Sequence, residues 1–146
     1  MRFSVSSFLA FMPFTTVLAA PLEATKTNVS NATHVEVARQ AHTQGTATFF
    51  FQNGGIGSCG EQHSDNEFLV AMASSFNNEF CGRGIIVTNI NGGQGNGNQV
   101  SARIVDTCPS CASNDLDLSV GAFSALTNGD LDLGVIAIDC IFMPVV

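Results

Sequence analysis

Residues 100–119 hold two carboxylates with a pair of cysteines between them. Asp106 ends a strand-like run, Cys108 and Cys111 form a Cys-Pro-Ser-Cys turn, and Asp117 lies in the apolar-acidic run 115–119. Acids at the ends of two short extended segments, pinned by cysteines, could share a groove. Two carboxylates brought close together push one pKa up, so that one of them could donate a proton. A plainer reading competes for each. Asp106 could cap backbone N–H groups of the neighbouring loop, and Asp117 could only tie down the start of the helix that follows.

The elements that must position these acids are short and mostly extended. In residues 100–105, Val100, Ala102 and Ile104 fall on one face of a strand and Ser101, Arg103 and Val105 on the other. Residues 45–51 are β-branched and aromatic, hence a first strand, and 68–72 are a continuous apolar run expected to be buried. Residues 74–80 read as a turn or one-turn helix, and 84–90 alternate Ile86 and Thr88 against Ile85, Val87 and Asn89. The Gly/Asn run 91–98 then favours a hairpin. Residues 120–128 are the one good helix candidate, capped by Ser119, ended by Asn128-Gly129, with Val120, Phe123 and Leu126 on one face. Residues 135–142 are a last strand. Five to seven short strands with one short helix predict an all-β barrel, and closure hides the edges of such apolar strands.

The start of the chain reads as a secretory signal peptide over residues 1–19: Arg2, a short apolar run broken by Pro13, then Val17-Leu18-Ala19. Residues 20–44 read as a disordered leader with glycosylation sequons at Asn28 and Asn31. A single domain follows over 45–146. The expected protein is therefore secreted and extracellular. Five basic residues stand against twelve acidic ones, a formal net charge of −7, which argues against nucleic acid and anionic membranes. Neutral polymers and small ligands stay open. Five cysteines in a secreted domain point to disulfides. The single Cys-x-x-Cys does not supply the two pairs of a structural zinc site, so no metal or cofactor is expected. Cys59 with Cys81 and Cys108 with Cys111 is one pairing; a link from either of the first two to the later loop is another. Cys140, in an apolar strand, reads as a buried thiol.

Taken together, Gly45-x-Ala47-Thr48-Phe49, Cys59-Gly60, Val70-Ala71, Cys81-Gly82, Ile104-Val105-Asp106-x-Cys108-x-x-Cys111 and Asp115-Leu116-Asp117-Leu118-Ser119-x-x-Ala122-Phe123 carry a resemblance. They resemble the six-stranded double-psi β-barrel of the RlpA-like, expansin-like and barwin superfamily, closest to small secreted fungal loosenin-like single-domain proteins. The resemblance implies binding of cell-wall polysaccharide, glucan or chitin, and loosening it without hydrolysis. It implies a shallow groove lined by Thr48, Phe49, Asp106 and Asp117, with Asp106 as the essential acid and candidate catalytic residue. It also favours the Cys59–Cys81 and Cys108–Cys111 pairing, and a monomer. The chain departs from the pattern at Phe49, where the family has Tyr, at Cys140, where Trp is frequent, and at Val120, where Pro is usual. The second, carbohydrate-binding domain of full expansins is not expected. Related endoglucanases need an acid where this chain has Phe49 to Phe51. Related lytic transglycosylases use a His in a motif that His63 does not match. Hydrolysis is therefore not expected.

Two functions follow. One is a wall-active protein that binds glucan or chitin in the groove. The other is a protein-binding module on the same barrel, a cysteine-protease inhibitor or a host-directed effector, which the absence of Tyr and Trp favours. A glycosidase is a third reading, to be revived only by reducing-sugar release that Asp106→Ala abolishes. Read without the family, Thr48 is an ordinary strand-face Thr. Side chains alternate along a strand, so Phe49, Phe50 and Phe51 cannot all be core, and at least one ring is expected to face out.

Overall fold

A computed structural model describes the backbone of residues 41–144 and the side chains from residue 44 onward. The expected signal peptide, most of the leader, and Asn28 and Asn31 lie outside the described residues. Six strands are present: β1 (Ala41–Phe50), β2 (Leu69–Ala73), β3 (Gly84–Asn89), β4 (Gln99–Cys108), β5 (Leu116–Ser119) and β6 (Ile136–Phe142). A 3-10 turn (Ser74–Phe76) follows β2, and one helix, α1 (Val120–Leu126), follows β5. The strands close in the order β1-β5-β2-β4-β3-β6. Pairs β1/β5 and β2/β4 are parallel and the other four antiparallel. This is the expected all-β, six-stranded double-psi barrel.

Alternation explains the interior. Ile85, Val87 and Asn89, one of the two alternating sets of β3, point in against Val100, Ala102 and Ile104 of β4 and Ile136, Ile138, Cys140 and Phe142 of β6. From the other side Ala47, Val70, Met72, Leu116 and Leu118 complete the core. Helix α1 closes one end. Its buried face is Ala122, Phe123 and Leu126 rather than the expected Val120, which stays half-buried. Ser119 caps it as expected: the hydroxyl accepts from Ala122 N at 3.3 Å. The same hydroxyl accepts from Leu69 N at 3.1 Å and donates to the Glu67 carbonyl at 2.6 Å, tying the helix to the entrance of β2.

The Gly/Asn loop between β3 and β4 is the expected hairpin connection, but it has a second role. It serves the far end of α1. Asn98 Nδ2 donates to the carbonyls of Ala125 (3.2 Å) and Leu126 (3.3 Å). The fully buried Asn89 donates to Leu126 O at 3.0 Å and to Gln94 O at 3.1 Å. The Ala125 and Leu126 carbonyls close the helix without a partner inside it, so side-chain amides from elsewhere satisfy them. Gly95 makes the approach possible: its φ is +74°, and a Cβ there would lie 2.0 Å from Leu126 O.

Two disulfides hold the loops, Cys59–Cys81 and Cys108–Cys111, the pairing that the resemblance favours. Cys140 is buried, outside both bridges. Burial and the neighbouring Asp139 carboxylate push its thiol pKa up to about 12, which keeps it protonated and unreactive.

Candidate functional site

Four residues line up across four strands. In β1/β5 Thr48 is opposite Asp117; in β5/β2 Asp117 is opposite Ala71; in β2/β4 Ala71 is opposite Asp106. Their neighbours Ala47, Leu116, Leu118, Val70 and Met72 all belong to the core, so this row lies on the outer face. Thr48 is exposed and both acids are partly exposed. Ala71 between them has only a methyl group and is 3% exposed, so the row dips into a narrow trough whose floor is nearly closed to solvent, with a carboxylate on each side. The acids are two strand spacings apart, about 10 Å between backbones.

Strict alternation would have put Asp106 inside. Val100, Ala102 and Ile104 face the core, and Asp106 has the same parity. A bulge changes this: Val70 pairs with Ile104 but Ala71 pairs with Asp106, so Val105 is an extra residue in β4. One inserted residue reverses the facing of everything after it. Val105 itself is buried, and Asp106 turns outward.

Asp106 does what its plainer reading describes. Its Oδ1 accepts from Ser58 N and Thr107 N, both at 2.8 Å. Ser58 belongs to the loop 51–62, which lies against the bulge: Cys59 N donates to Val105 O at 3.2 Å. Gly57 permits the contact, since a Cβ there would lie 2.6 Å from Val105 O. The acid therefore fixes a loop beside the trough. Among the described residues nothing hydrogen-bonds its Oδ2.

Asp117 does not tie down the helix. It accepts a hydrogen bond from Thr48 Oγ1 at 2.7 Å. Partial burial pushes its carboxyl pKa up, and the Thr48 hydroxyl opposes that shift. The sequence reading assigned such a rise to a neighbouring carboxylate; desolvation is the cause here, because Asp106 is two strands away. Two residues before it, Asp115 accepts from both Thr46 N and Thr46 Oγ1 at 2.9 Å, and those bonds hold its carboxyl below the usual range. The sequence reading missed this pair. Its signal was available: Thr46 and Thr48 share a parity on β1, as Asp115 and Asp117 do around β5.

These opposite shifts give opposite pH dependences. A carboxyl raised in the folded state contributes stability below its unfolded pKa and loses it as pH rises through the folded value. Asp115, lowered, contributes above its unfolded pKa and loses this as pH falls through the folded value. Asp117→Asn keeps an oxygen for the Thr48 hydroxyl but removes the poorly solvated charge. It is expected to raise Tm at pH 7 and to leave it nearly unchanged at pH 3. Thermal melts at the two pH values check this; a lower Tm at pH 7 would mean that the charge supports the fold.

Phe49 needs correcting as a groove aromatic. It is on the opposite face from Thr48 and packs on the buried Phe123, ring centroids 5.0 Å apart. Phe50 shares the parity of Thr48 and is half-buried, while Phe51, just past the strand, is 55% exposed. Apart from the trough, Glu61, His63, Glu67 and Arg103 make a charged cluster that the sequence reading left unassembled. His63 Nδ1 is 3.0 Å from Glu67, His63 Nε2 is 3.3 Å from Glu61, and Arg103 is 3.0 Å from Glu61. It braces the loop 61–67 on β4.

No protein-family model and no curated protein matches the chain. Solved structures do. The expansin of Clavibacter michiganensis is similar at 30% identity and TM-score 0.58, over 70% of this chain and 50% of the expansin. A point mutant of that expansin in complex with cellohexaose is similar at 28% identity and TM-score 0.58, with the same coverage. The chain thus spans about half the length of those proteins. A Streptomyces papain inhibitor is similar at 30% identity and TM-score 0.60, over 72% of this chain and 96% of the inhibitor.

Proposed function

The chain belongs to the RlpA-like, expansin-like double-psi β-barrel family, and on that premise we propose that it is a secreted protein that binds cell-wall polysaccharide without cleaving it. The carrying observation is the row Thr48–Asp117–Ala71–Asp106. Along it the exposed Thr48 and the two partly exposed acids present polar groups, while Ala71 between them is buried. The carboxylates, carried on strands whose backbones are about 10 Å apart, can take hydroxyl hydrogen bonds from a sugar chain. A cellohexaose complex of a similar barrel supports glucan as the ligand class. Two disulfides support secretion. Non-hydrolytic action is supported by Asp106, which spends one oxygen on backbone N–H groups.

Retention on insoluble cellulose and chitin is the test. Wild type is expected in the pellet, with no reducing sugar released. Asp117→Ala, losing one charged contact, is expected to bind roughly tenfold more weakly. No retention on any polysaccharide sinks the reading.

A second reading, a secreted inhibitor of papain-type cysteine proteases, is favoured by a specific observation. The match to the papain inhibitor extends over 96% of that protein. The trough is also poor in flat rings: the chain has no Trp or Tyr, and Phe49 is turned to the core. Inhibition of papain by the purified domain tests it.

A further inference from the structure

We propose that the loop of residues 52–62 is the segment that enters the substrate cleft of a papain-type protease, with the Ile56 side chain leading. The inference rests on the second reading above and adds the surface that would carry it.

Ile56 is 73% exposed, the most of any large hydrophobic residue among those described. A single exposed isoleucine is ordinary on a protein surface; what sets this one apart is the narrow, fixed loop that carries it. Gly54 and Gly55 precede it and Gly57 follows, so a single side chain projects from a narrow strip of backbone. The strip is held from both sides. Gly55 N donates to Gln52 O at 2.8 Å, Gly57 N to Glu61 O at 3.1 Å, and Gln62 Nε2 to Gly54 O at 2.7 Å. Ile56 and Gln62 form an antiparallel bridge. Below it Ser58 N is anchored on Asp106, and the Cys59–Cys81 disulfide closes the base.

A loop so fixed loses little conformational freedom on docking, and more of its contact free energy is left for affinity. Its shape suits a cleft built for a narrow, extended chain with an apolar pocket beside it. Phe51 at the loop's base, 55% exposed, offers a second apolar contact at the rim. Hydrogen bonds across the loop would also keep its two sides in place if the protease cut the tip.

The test compares papain inhibition by wild type, Ile56→Glu and Ile90→Glu, the last being a 42% exposed isoleucine outside the loop. Thermal melts of all three check that the fold is kept, as expected for surface changes. The Ile56 variant is expected to raise Ki about thirtyfold or more, as for a central anchor residue, and the Ile90 variant to leave it unchanged. Equal loss in both variants, or none at Ile56→Glu while wild type inhibits, overturns the assignment of the loop and leaves the inhibitor reading standing. Absence of papain inhibition by wild type overturns both.

Discussion

Asp106→Ala is expected to cost the barrel about 2 kcal/mol and to abolish polysaccharide retention, because it removes the acceptor for two backbone N–H groups. For a domain of this size that is a fall in Tm of about 10 °C. The loop 51–62 loses its anchor on β4 at Ser58, and the wall of the trough goes with it. Asp106→Asn separates the two roles. Its amide oxygen still accepts from Ser58 and Thr107, so Tm stays near wild type, while the charged Oδ2 is gone and retention falls. Melts and pull-downs on the two variants check both parts. A wild-type Tm for the Ala variant refutes the anchor, and wild-type retention of the Asn variant removes the carboxylate from the binding site.

Removing the Cys59–Cys81 bridge by paired Cys→Ser substitution should be the costlier change, about 3 kcal/mol in the chain-entropy account. Its half-cystines are 22 residues apart. The Cys108–Cys111 bridge spans a separation of only 3, and its loss should cost about 2 kcal/mol by the same relation. Urea unfolding of the two double variants gives the comparison. Equal costs, or a larger one at residues 108 and 111, count against loop closure as the source of stability. The longer bridge also ties the Ser58-Cys59 segment to Cys81. Its loss is expected to reduce retention through Asp106 as well, without any change in the trough's own side chains.

Much of the barrel can be read directly from alternation. Ile85, Val87 and Asn89 take the inner face of β3, and Val100, Ala102 and Ile104 that of β4, because a strand with one buried face must repeat every two residues. Ser119 as a helix cap is equally local: a hydroxyl just ahead of an apolar helical run answers a need of that helix alone. Phe49 shows where the same rule was available but overruled by analogy. Its parity with Ala47 already pointed inward, and the family position pointed outward.

Sequence alone determined the strands, the helix with its cap, and the acids and cysteines with their spacing, since each of these depends on residues within a few positions of one another. The tertiary structure decided which way Asp106 faces, because an extra residue in β4 shows only when β4 is laid against β2. It also decided that Thr48 meets Asp117 and Thr46 meets Asp115, partners 69 residues apart. It placed Gly95 and Asn98 on the end of α1. Register across a closed barrel is a property of all six strands at once, set by how their inner faces fill a common core, and no local pattern carries it.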